Sequence, residues 1–334
     1  VLIIVVLLYG CGTRFSTVGI LGTILLAEVV GWSIRFRSIR FIFDHMMQGL
    51  DALRGTGDRS AASLDQLRSA SERVRAQRGI REKFRRGLEI SGRYDDSFRE
   101  IFRSRGLPED LAYLPHVESS FQVSARSSVG AAGIWQFMPA TGRIYGLTVS
   151  HAVDDRLDPT IAAEGAAGYL GSAHGKLGSW PLAITSYNHG QGGMAKAKRI
   201  YGNDFGAIAS RYKGPYFGFD SRNFYAQFLA AREVATNPKK YFPGGVNYER
   251  PLSRDRLVLR SSVPAPHVAS HYGVSTYRLA DLNLHWRNGA VSGGARLPAG
   301  TTVWLPDGTL DRVTGQPSAT STMIARAEPK TRPT

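Results

Sequence analysis

The sequence predicts a mainly α protein with a small α+β module near its C-terminal end. Apolar residues recur at helical spacing from Tyr94 to Phe102, and no stretch of residues 90–245 shows the sustained alternation of a strand. After Pro243 the composition changes, and two short runs typical of strands flank two short helical patterns. We therefore predict a helical domain over residues 90–245 and a βααβ module over residues 250–308.

Each element in the helical domain has a start or stop signal. Gly106 ends the helix that begins near Tyr94, and Leu107-Pro108-Glu109-Asp110 begins the next, with proline and two carboxylates in its first turn. The buried face of this second helix would carry Leu111, Leu114 and Val117. Further helices are predicted over residues 160–173, 180–187 and 222–236. In the module we predict a strand over 256–259, helices over 268–272 and 276–282, and a strand over 302–305.

The two ends of the chain have different compositions. Residues 1–45 are largely apolar and predict an export or anchoring segment, whereas residues added by a misassigned start site are the alternative. The only cysteine, Cys11, follows an apolar run and a Leu-Tyr-Gly sequence, which resembles the lipobox of bacterial lipoproteins and implies acylation of Cys11. Residues 46–89 predict a helical linker. The tail over residues 309–334 is rich in Thr, Pro and Arg and predicts disorder.

The charge balance implies an anionic partner. Lys and Arg number 42 against 27 Asp and Glu, a formal net charge of +15. Nucleic acid, acidic lipid and an acidic polymer all fit this charge, and composition alone favours nucleic acid. The single cysteine excludes an internal disulfide and a multi-cysteine metal site. The motifs below favour the acidic polymer instead.

The densest group of chemistry-bearing residues contains one carboxylate, Glu118. It follows an apolar helix and lies beside Val117 and Phe121, so desolvation should raise its pKa and keep it protonated near neutral pH. Those are the properties of a general acid for glycosidic-bond cleavage. The structural alternative is a helix-end carboxylate held in a hydrogen bond. From Glu118 onward, the chain reads Glu-Ser-Ser-Phe, then Ala125 and Ser127, then Gly-Ala-Ala-Gly-Ile-Trp-Gln-Phe-Met-Pro-Ala-Thr over residues 130–141.

This order resembles the signature of the family 1 lytic transglycosylases, the soluble lytic transglycosylase and membrane-bound type D group. Ser-Tyr-Asn-His-Gly over residues 186–190 resembles the family's Ala-Tyr-Asn-x-Gly block, and residues 222–230 resemble its last motif. In that last motif Phe224 fills the position of the family's tyrosine and Tyr225 follows it. The resemblance also includes residues 77–115, and it implies a lysozyme-like catalytic domain acting on peptidoglycan.

The resemblance assigns a role to individual residues. Glu118 would protonate the bond between MurNAc and GlcNAc and then act as base on the C6 hydroxyl of MurNAc, so that a 1,6-anhydro ring closes without water. Substrate-binding residues would be Ser127, Gly130, Gln136, Met138, Tyr187, Asn188 and Tyr225. No metal or organic cofactor is expected. The partner would be peptidoglycan, an anionic cell-wall polymer, and the chain would lie in the cell envelope, in the periplasm or at the outer membrane, with possible membrane anchorage.

Several other residues allow a catalytic or ligand-binding interpretation. Asp154, Asp155 and Asp158 precede Pro159 and either hide a second catalytic carboxylate or, as we favour, cap the following helix. His116 and His189 flank the motifs but lack the spacing of a metal site.

The module resembles a divergent LysM domain. Its similarity rests on the segments 268–275, 279–283 and 297–306. Such a domain would bind N-acetyl sugars, and the alternative is a packing appendage that binds no glycan. The rival functions are a lysozyme-type hydrolase on the same fold and a non-catalytic peptidoglycan-binding protein. A nucleic-acid binder ranks last because the chain has no recognised nucleic-acid-binding motif.

Overall fold

A computed structural model describes residues 80–252 and 255–317 of the chain. The predicted linker up to Gly79, the apolar segment with Cys11 and the tail from residue 318 lie outside the described residues. The mainly α class is confirmed, because helices form most of the regular structure. Within the described ranges, no helix combines the length and apolar composition needed to span a membrane.

The chain forms two compact units that are discontinuous in sequence. Among the described residues, the first unit comprises 80–122 and 166–249, and the second comprises 123–165 and 250–317. The sequence predicts one continuous domain over 90–245, whereas the structure groups 123–165 with the C-terminal part. Backbone pairing explains the grouping: Val153 forms an antiparallel bridge with Trp286. The predicted domain boundaries stay a prediction.

The first unit begins with helix α1 at Ile80–Ser91 and helix α2 at Asp95–Ser104. A 3₁₀ turn at Glu109–Tyr113 follows, and then helix α3 at Leu114–Glu118. The sequence predicts one helix here, but Pro115 lacks the N–H that a continuous helix would need at this position. The predicted buried face is confirmed, because Leu111, Leu114 and Val117 are at most 6% exposed.

The second half of the first unit is a set of packed helices. Helix α5 at Pro159–Leu177 begins among the residues of the second unit and ends before Gly178. The helices that follow are α6 at Trp180–His189, α7 at Gln191–Tyr201, α8 at Phe205–Arg211, α9 at Phe219–Thr236 and α10 at Pro238–Tyr241. Helices α5, α6 and α9 agree with the predicted ranges, apart from their ends. The long helix α9 packs on both α6 and α3.

The second unit contains helix α4 at Pro139–Ile144 and the C-terminal module. In the module, strand β1 at Arg256–Val258 pairs antiparallel with strand β4 at Thr302–Trp304. Between them lie strand β2 at Val263–Pro264, helix α11 at Ala265–Tyr272, helix α12 at Thr276–Leu282, helix α13 at Asn288–Val291 and strand β3 at Arg296–Leu297. The four predicted elements are present in the predicted order. The sequence did not predict the β2–β3 pair or α13, because runs of two to four residues carry no periodicity.

The segment after the module is ordered further than the sequence predicts. Disorder is predicted from residue 309, whereas Thr309–Arg312 form helix α14. The next residues are tied back to the module, since Gln316 Nε2 donates to Val258 O at 2.9 Å and Tyr272 Oη donates to Gly315 O at 3.0 Å. These contacts join residues more than 40 positions apart, and no local sequence pattern predicts such pairs.

Candidate active site

Glu118 is the last residue of helix α3, and the chain reverses direction directly after it. Ser120 and Phe121 have φ values of 52° and 58°, and the amides of Ser119 and Phe121 both donate to Pro115 O. Non-glycine residues with positive φ are uncommon and persist only where their surroundings enforce them. This turn therefore fixes the position of Glu118 at the end of the helix.

Glu118 is half-buried. Burial raises its pKa to about 8, because desolvation disfavours the ionised form. No ion pair within the described part of the chain involves Glu118. A carboxyl with this pKa is largely protonated at neutral pH and can donate a proton. The desolvation expected from the sequence is therefore present in the structure.

The neighbouring histidine brings no positive charge to this site. His116 is 1% exposed and stacks on Phe84 with 4.8 Å between ring centroids. Burial lowers the pKa of His116 to about 3, which keeps the ring neutral at physiological pH. Helix α1 packs closely on the same turn at Gly87, where an added Cβ would lie 2.9 Å from Ser120 O. His116 is thus a packing residue of helix α3.

Tyr187 and Asn188, in the last turn of α6, belong to the same unit as Glu118. The pKa of Tyr187 is raised well above its ordinary value, first by burial and then by the negative charge of Glu118. That charge effect requires the two side chains to be near each other. Asn188 is exposed, and its Oδ1 accepts a hydrogen bond from Ser221 Oγ of α9 at 2.7 Å. The first unit therefore brings Glu118 and Tyr187 together and connects Asn188 to α9.

Tyr225 and Phe224 occupy different environments on α9. Phe224 is 3% exposed, whereas Tyr225 is half-buried and packs edge-on against Phe205 at 5.4 Å between ring centroids. The ring of Tyr225 borders the apolar cluster around Met194. These contacts of the Tyr225 ring are packing contacts, and a contact with substrate stays a prediction.

The predicted substrate-binding residues Gly130, Gln136 and Met138 lie in the second unit, on residues 130–138, which we call the motif loop. Gln136 has φ of 48°, and its Nε2 donates to Gly133 O at 2.8 Å and Ala125 O at 3.3 Å. Gly130 is exposed with φ of 93°, and Met138 is 39% exposed. Ser127 lies just before the loop, where its Oγ accepts from the amide of Ala131 at 2.9 Å.

The motif loop is held by a residue that sequence reasoning missed, Arg156. Its Nη1 donates to Gly130 O at 2.8 Å and to Phe137 O at 3.1 Å, so one side-chain nitrogen binds both ends of the loop. The backbone of Arg156 also lies against Gly133, where an added Cβ would be 1.7 Å from Arg156 O. Gly133 has φ of 79°, so both its conformation and its close contact require glycine. No spacing in the sequence connects Arg156 to this loop.

The acidic run next to Arg156 has structural partners. Asp154 binds the guanidinium of Arg156 through both oxygens at 2.9 Å, and Asp155 Oδ2 accepts from Thr148 N at 2.8 Å. Asp158 Oδ1 accepts from the amides of Thr160 and Ile161 at 2.9 Å, which caps α5 as the sequence predicts. Among residues 80–252 and 255–317, no group of three or more His, Cys, Asp and Glu side chains is arranged to hold a metal ion.

Comparison with known proteins finds similarity over the region that contains Glu118 and the motif loop. Residues 98–206 match the family model described as Transglycosylase SLT domain. The chain is 31% identical over 183 residues to "Membrane-bound lytic murein transglycosylase D" of Escherichia coli K12, a match that covers 54% of the chain and 40% of that protein. It is also 31% identical over 150 residues to "Peptidoglycan transglycosylase gp16" of Escherichia phage T7, covering 43% of the chain and 10% of that protein.

A solved structure is also similar, an inactive mutant of the lytic transglycosylase Slt from Pseudomonas aeruginosa. It shares 21% sequence identity with a TM-score of 0.35, and the match covers 44% of the chain and 24% of that structure. The chain thus spans less than half the length of each of these relatives. The SLT match includes Glu118, Ser127, the motif loop, Tyr187 and Asn188, whereas Tyr225 lies beyond its end.

Proposed function

We propose that the chain is a peptidoglycan lytic transglycosylase, a carbon–oxygen lyase acting on polysaccharide, with Glu118 as its single general acid and base. The observation that carries this proposal is the pKa of Glu118, raised to about 8 by burial, within a region that matches the SLT domain. The relatives named for lytic murein transglycosylase and peptidoglycan transglycosylase activities support the substrate class.

The proposed reaction needs one proton carrier. Protonated Glu118 donates to the oxygen that links MurNAc C1 to GlcNAc, and this C1–O bond breaks with development of positive charge at C1. The resulting carboxylate accepts the proton of the MurNAc C6 hydroxyl as that oxygen bonds to C1. The proton returns to Glu118, no water is consumed, and the product carries a 1,6-anhydro ring. A second carboxylate to activate water is therefore unnecessary.

The nearby residues would bind and orient the sugar. Tyr187, whose pKa responds to the charge of Glu118, would lie beside the carboxyl during proton transfer. The exposed amide of Asn188, oriented by Ser221, would hydrogen-bond the N-acetyl group. Gln136, Met138, Ser127, Gly130 and Tyr225 remain proposed substrate contacts.

We further propose that the chain acts in the bacterial cell envelope. The Escherichia coli relative is named membrane-bound, and the net charge of +15 favours an anionic wall. Acylation of Cys11 and membrane anchorage belong to the same proposal. The βααβ order of the module agrees with a LysM-like domain, which would place a second glycan contact in the chain.

Product analysis of digested peptidoglycan sacculi tests the proposal. Wild-type protein should release anhydro products that mass spectrometry finds lighter by one water than hydrolysed fragments. Glu118→Gln should lower the rate by roughly 10³-fold, because the amide cannot transfer the proton. The control Glu82→Gln changes an exposed glutamate of α1 and should keep full activity.

Each alternative outcome has its own meaning. Products with a free reducing end would identify a lysozyme-type hydrolase and contradict the transglycosylase proposal. Binding to sacculi without any product from the wild type would identify a peptidoglycan-binding protein. Full activity of Glu118→Gln would remove Glu118 from the mechanism.

A further inference from the structure

A buried polar network joins the C-terminal module to the acidic run inside the second unit. The indole N–H of Trp304 in β4 donates to Asp158 Oδ2, and His285 Nδ1 lies 3.4 Å from the same oxygen. His285 Nε2 donates to Thr302 O at 2.9 Å, which ties this ring to β4. Asp158 is 2% exposed and His285 is completely buried. Because Asp158 Oδ1 caps α5, this carboxylate is bound from the helix on one side and from the module on the other.

The backbone reinforces this connection. Asp154 N donates to His285 O at 2.8 Å, and Arg287 N donates to Ala152 O at 2.9 Å. With the bridge between Val153 and Trp286, these bonds form a short antiparallel pairing between the acidic run and the module. The apolar cluster of the module includes Ala152 and Val153 beside Trp286. Residues 152 and 153, at the start of the acidic run, are therefore packed into the core of the module.

The acidic run in turn holds the motif loop. Arg156, paired with Asp154, binds the carbonyl oxygens of Gly130 and Phe137 at the two ends of the loop. Near the middle of the motif loop, Trp135 Nε1 donates to Pro159 O at 3.1 Å. A continuous set of hydrogen bonds and covalent neighbours thus leads from Trp304 through Asp158 to the loop.

The motif loop needs such external support. Gln136 has φ of 48°, and Gly130 and Gly133 also have positive φ. A non-glycine residue in this region costs on the order of 1–3 kcal/mol and persists only when surrounding contacts enforce it. Arg156 supplies such contacts at Gly130 and Phe137, and its guanidinium is fixed by Asp154. The module holds the chain on both sides of Arg156, through the backbone of Asp154 and the carboxylate of Asp158.

We propose that Trp304 is a positioning residue for the motif loop. Through Asp158 and the residues bonded to the loop, the C-terminal module stabilises the conformation of the segment that carries Gln136 and Met138. The module then belongs to the architecture of the substrate-binding segment and is not an independently mobile glycan-binding appendage. The structural part of this inference stands on the contacts within the second unit. Its consequence for glycan binding rests on the proposed function.

Two tryptophans of the module provide a matched pair of variants. Trp304→Phe removes the indole N–H that binds Asp158, whereas Trp286→Phe removes an indole N–H that has no hydrogen-bond partner among the described residues. Both substitutions take away a similar ring volume from the same unit. A difference between the two variants therefore reports the hydrogen bond to Asp158.

Amide hydrogen exchange of the full chain measures the stability of the motif loop directly. The amides of Ala132 and Gly133 bond to Phe137 O and Ala125 O, so their protection reports the folded loop. Trp304→Phe should lower their protection roughly tenfold, the equivalent of one lost hydrogen bond to a charged group, whereas Trp286→Phe should leave it near the wild-type value. Equal amide protection in the wild type and both variants would show that Trp304 does not stabilise the motif loop. This outcome does not depend on whether the chain is an enzyme.

Kinetics on soluble, uncrosslinked glycan strands test the functional consequence. Trp304→Phe should raise KM roughly tenfold and leave the pH profile of kcat unchanged, because the hydrogen bond that it removes goes to Asp158 and does not involve Glu118. Trp286→Phe should keep the wild-type KM. If exchange rises in Trp304→Phe but KM stays the same, the inferred role of the loop in glycan binding is wrong. Failure of the proposed function appears separately, as unchanged activity of Glu118→Gln.

Discussion

Glu118 on one side and Asp154 and Asp158 on the other are carboxylates shielded from solvent to different degrees, and they differ in their partners. Glu118 has no ion pair within the described residues, and burial raises its pKa to about 8. Asp154 is completely buried against the guanidinium of Arg156, and Asp158 accepts hydrogen bonds from two backbone amides and from Trp304. The first carboxyl is therefore largely protonated at neutral pH, and the other two are held by a guanidinium, backbone amides and an indole N–H.

The contrast shows that burial alone does not decide whether a carboxyl becomes neutral or is held by compensating partners. A buried ionised group is tolerated only when partners compensate its lost hydration, and otherwise it shifts its pKa and becomes neutral. Removing the partner of a compensated carboxylate should therefore destabilise the fold. Removing the charge of an uncompensated carboxyl should stabilise it, because that group destabilises the fold when it ionises. Substitutions at the two sites should therefore have opposite signs.

The largest expected effect is at Arg156. Arg156→Met should lower the free energy of unfolding by about 3–5 kcal/mol, because Asp154 would remain buried without its cation and the carbonyls of Gly130 and Phe137 would lose their donor. Urea unfolding at pH 7 measures this loss. The second unit should unfold first if the two units unfold separately.

Arg103→Met is the control for that variant. Arg103 pairs with Glu100 and Glu109, but its side chain is 56% exposed. Exposed ion pairs contribute little to stability, so the unfolding midpoint should hardly change. Equal losses for both variants would mean that burial of the Arg156 pair has no special energetic role.

A smaller effect of opposite sign is expected at Glu118. Its folded pKa of about 8 exceeds the ordinary value of 4.5, so the unfolded chain ionises first as pH rises and the fold loses stability between these two values. Glu118→Gln does not ionise, and at pH 7 it should be more stable than the wild type by up to roughly 3 kcal/mol. The difference should vanish near pH 4, where both states of the wild type are protonated. Thermal unfolding from pH 4 to pH 8 measures it.

Glu109→Gln provides a comparison with the opposite pKa shift. A hydrogen bond from Arg103 lowers the pKa of Glu109, so removal of this charge should have the opposite sign and favour unfolding only slightly at neutral pH, because the pair is exposed, with no effect in acid. A Glu118→Gln variant that is less stable than the wild type at pH 7 would show that the ionised carboxylate has favourable partners. The proposed general acid would then lack its physical basis.

The elements that were predicted best from the sequence are those whose pattern lies within the element itself. The helical patterns over residues 160–173, 180–187 and 222–236 predicted α5, α6 and α9 to within a few residues, and β1 and β4 were predicted from short β-rich runs. The break at Pro115 was visible in the sequence but was outweighed by the apolar pattern around it. The grouping of residues 123–165 with the module depends on contacts such as Val153 with Trp286, which are more than 130 positions apart.

In the candidate site too, residues with local sequence signals were predicted and residues that act through long-range contacts were not. Glu118, Tyr187 and Asn188 were predicted from motif order, and the environment of Glu118 agrees with the desolvation expected from its apolar neighbours. Arg156 was missed because its role depends on reaching Gly130, 26 positions away, and nothing in its own neighbourhood specifies that contact. Local chemistry is readable from sequence, whereas support by distant residues is not.

The smallest expected effect is at Asp158 and uses the same carboxylate-to-amide change as at Glu118. Asp158→Asn keeps one oxygen to cap α5 but places an amide N–H₂ group opposite the indole N–H of Trp304, so two donors meet. We expect a loss of roughly 1–2 kcal/mol in the free energy of unfolding, measured by urea unfolding at pH 7. Asp204→Asn is the control, because Asp204 caps α8 through Ala207 N and is exposed, and asparagine caps helices about as well as aspartate. Loss at Asp158 without loss at Asp204 would assign the effect to the groups that face Asp158 Oδ2, the indole N–H of Trp304 and the ring of His285. A stabilised Asp158→Asn would instead place Asp158 in the same class as Glu118.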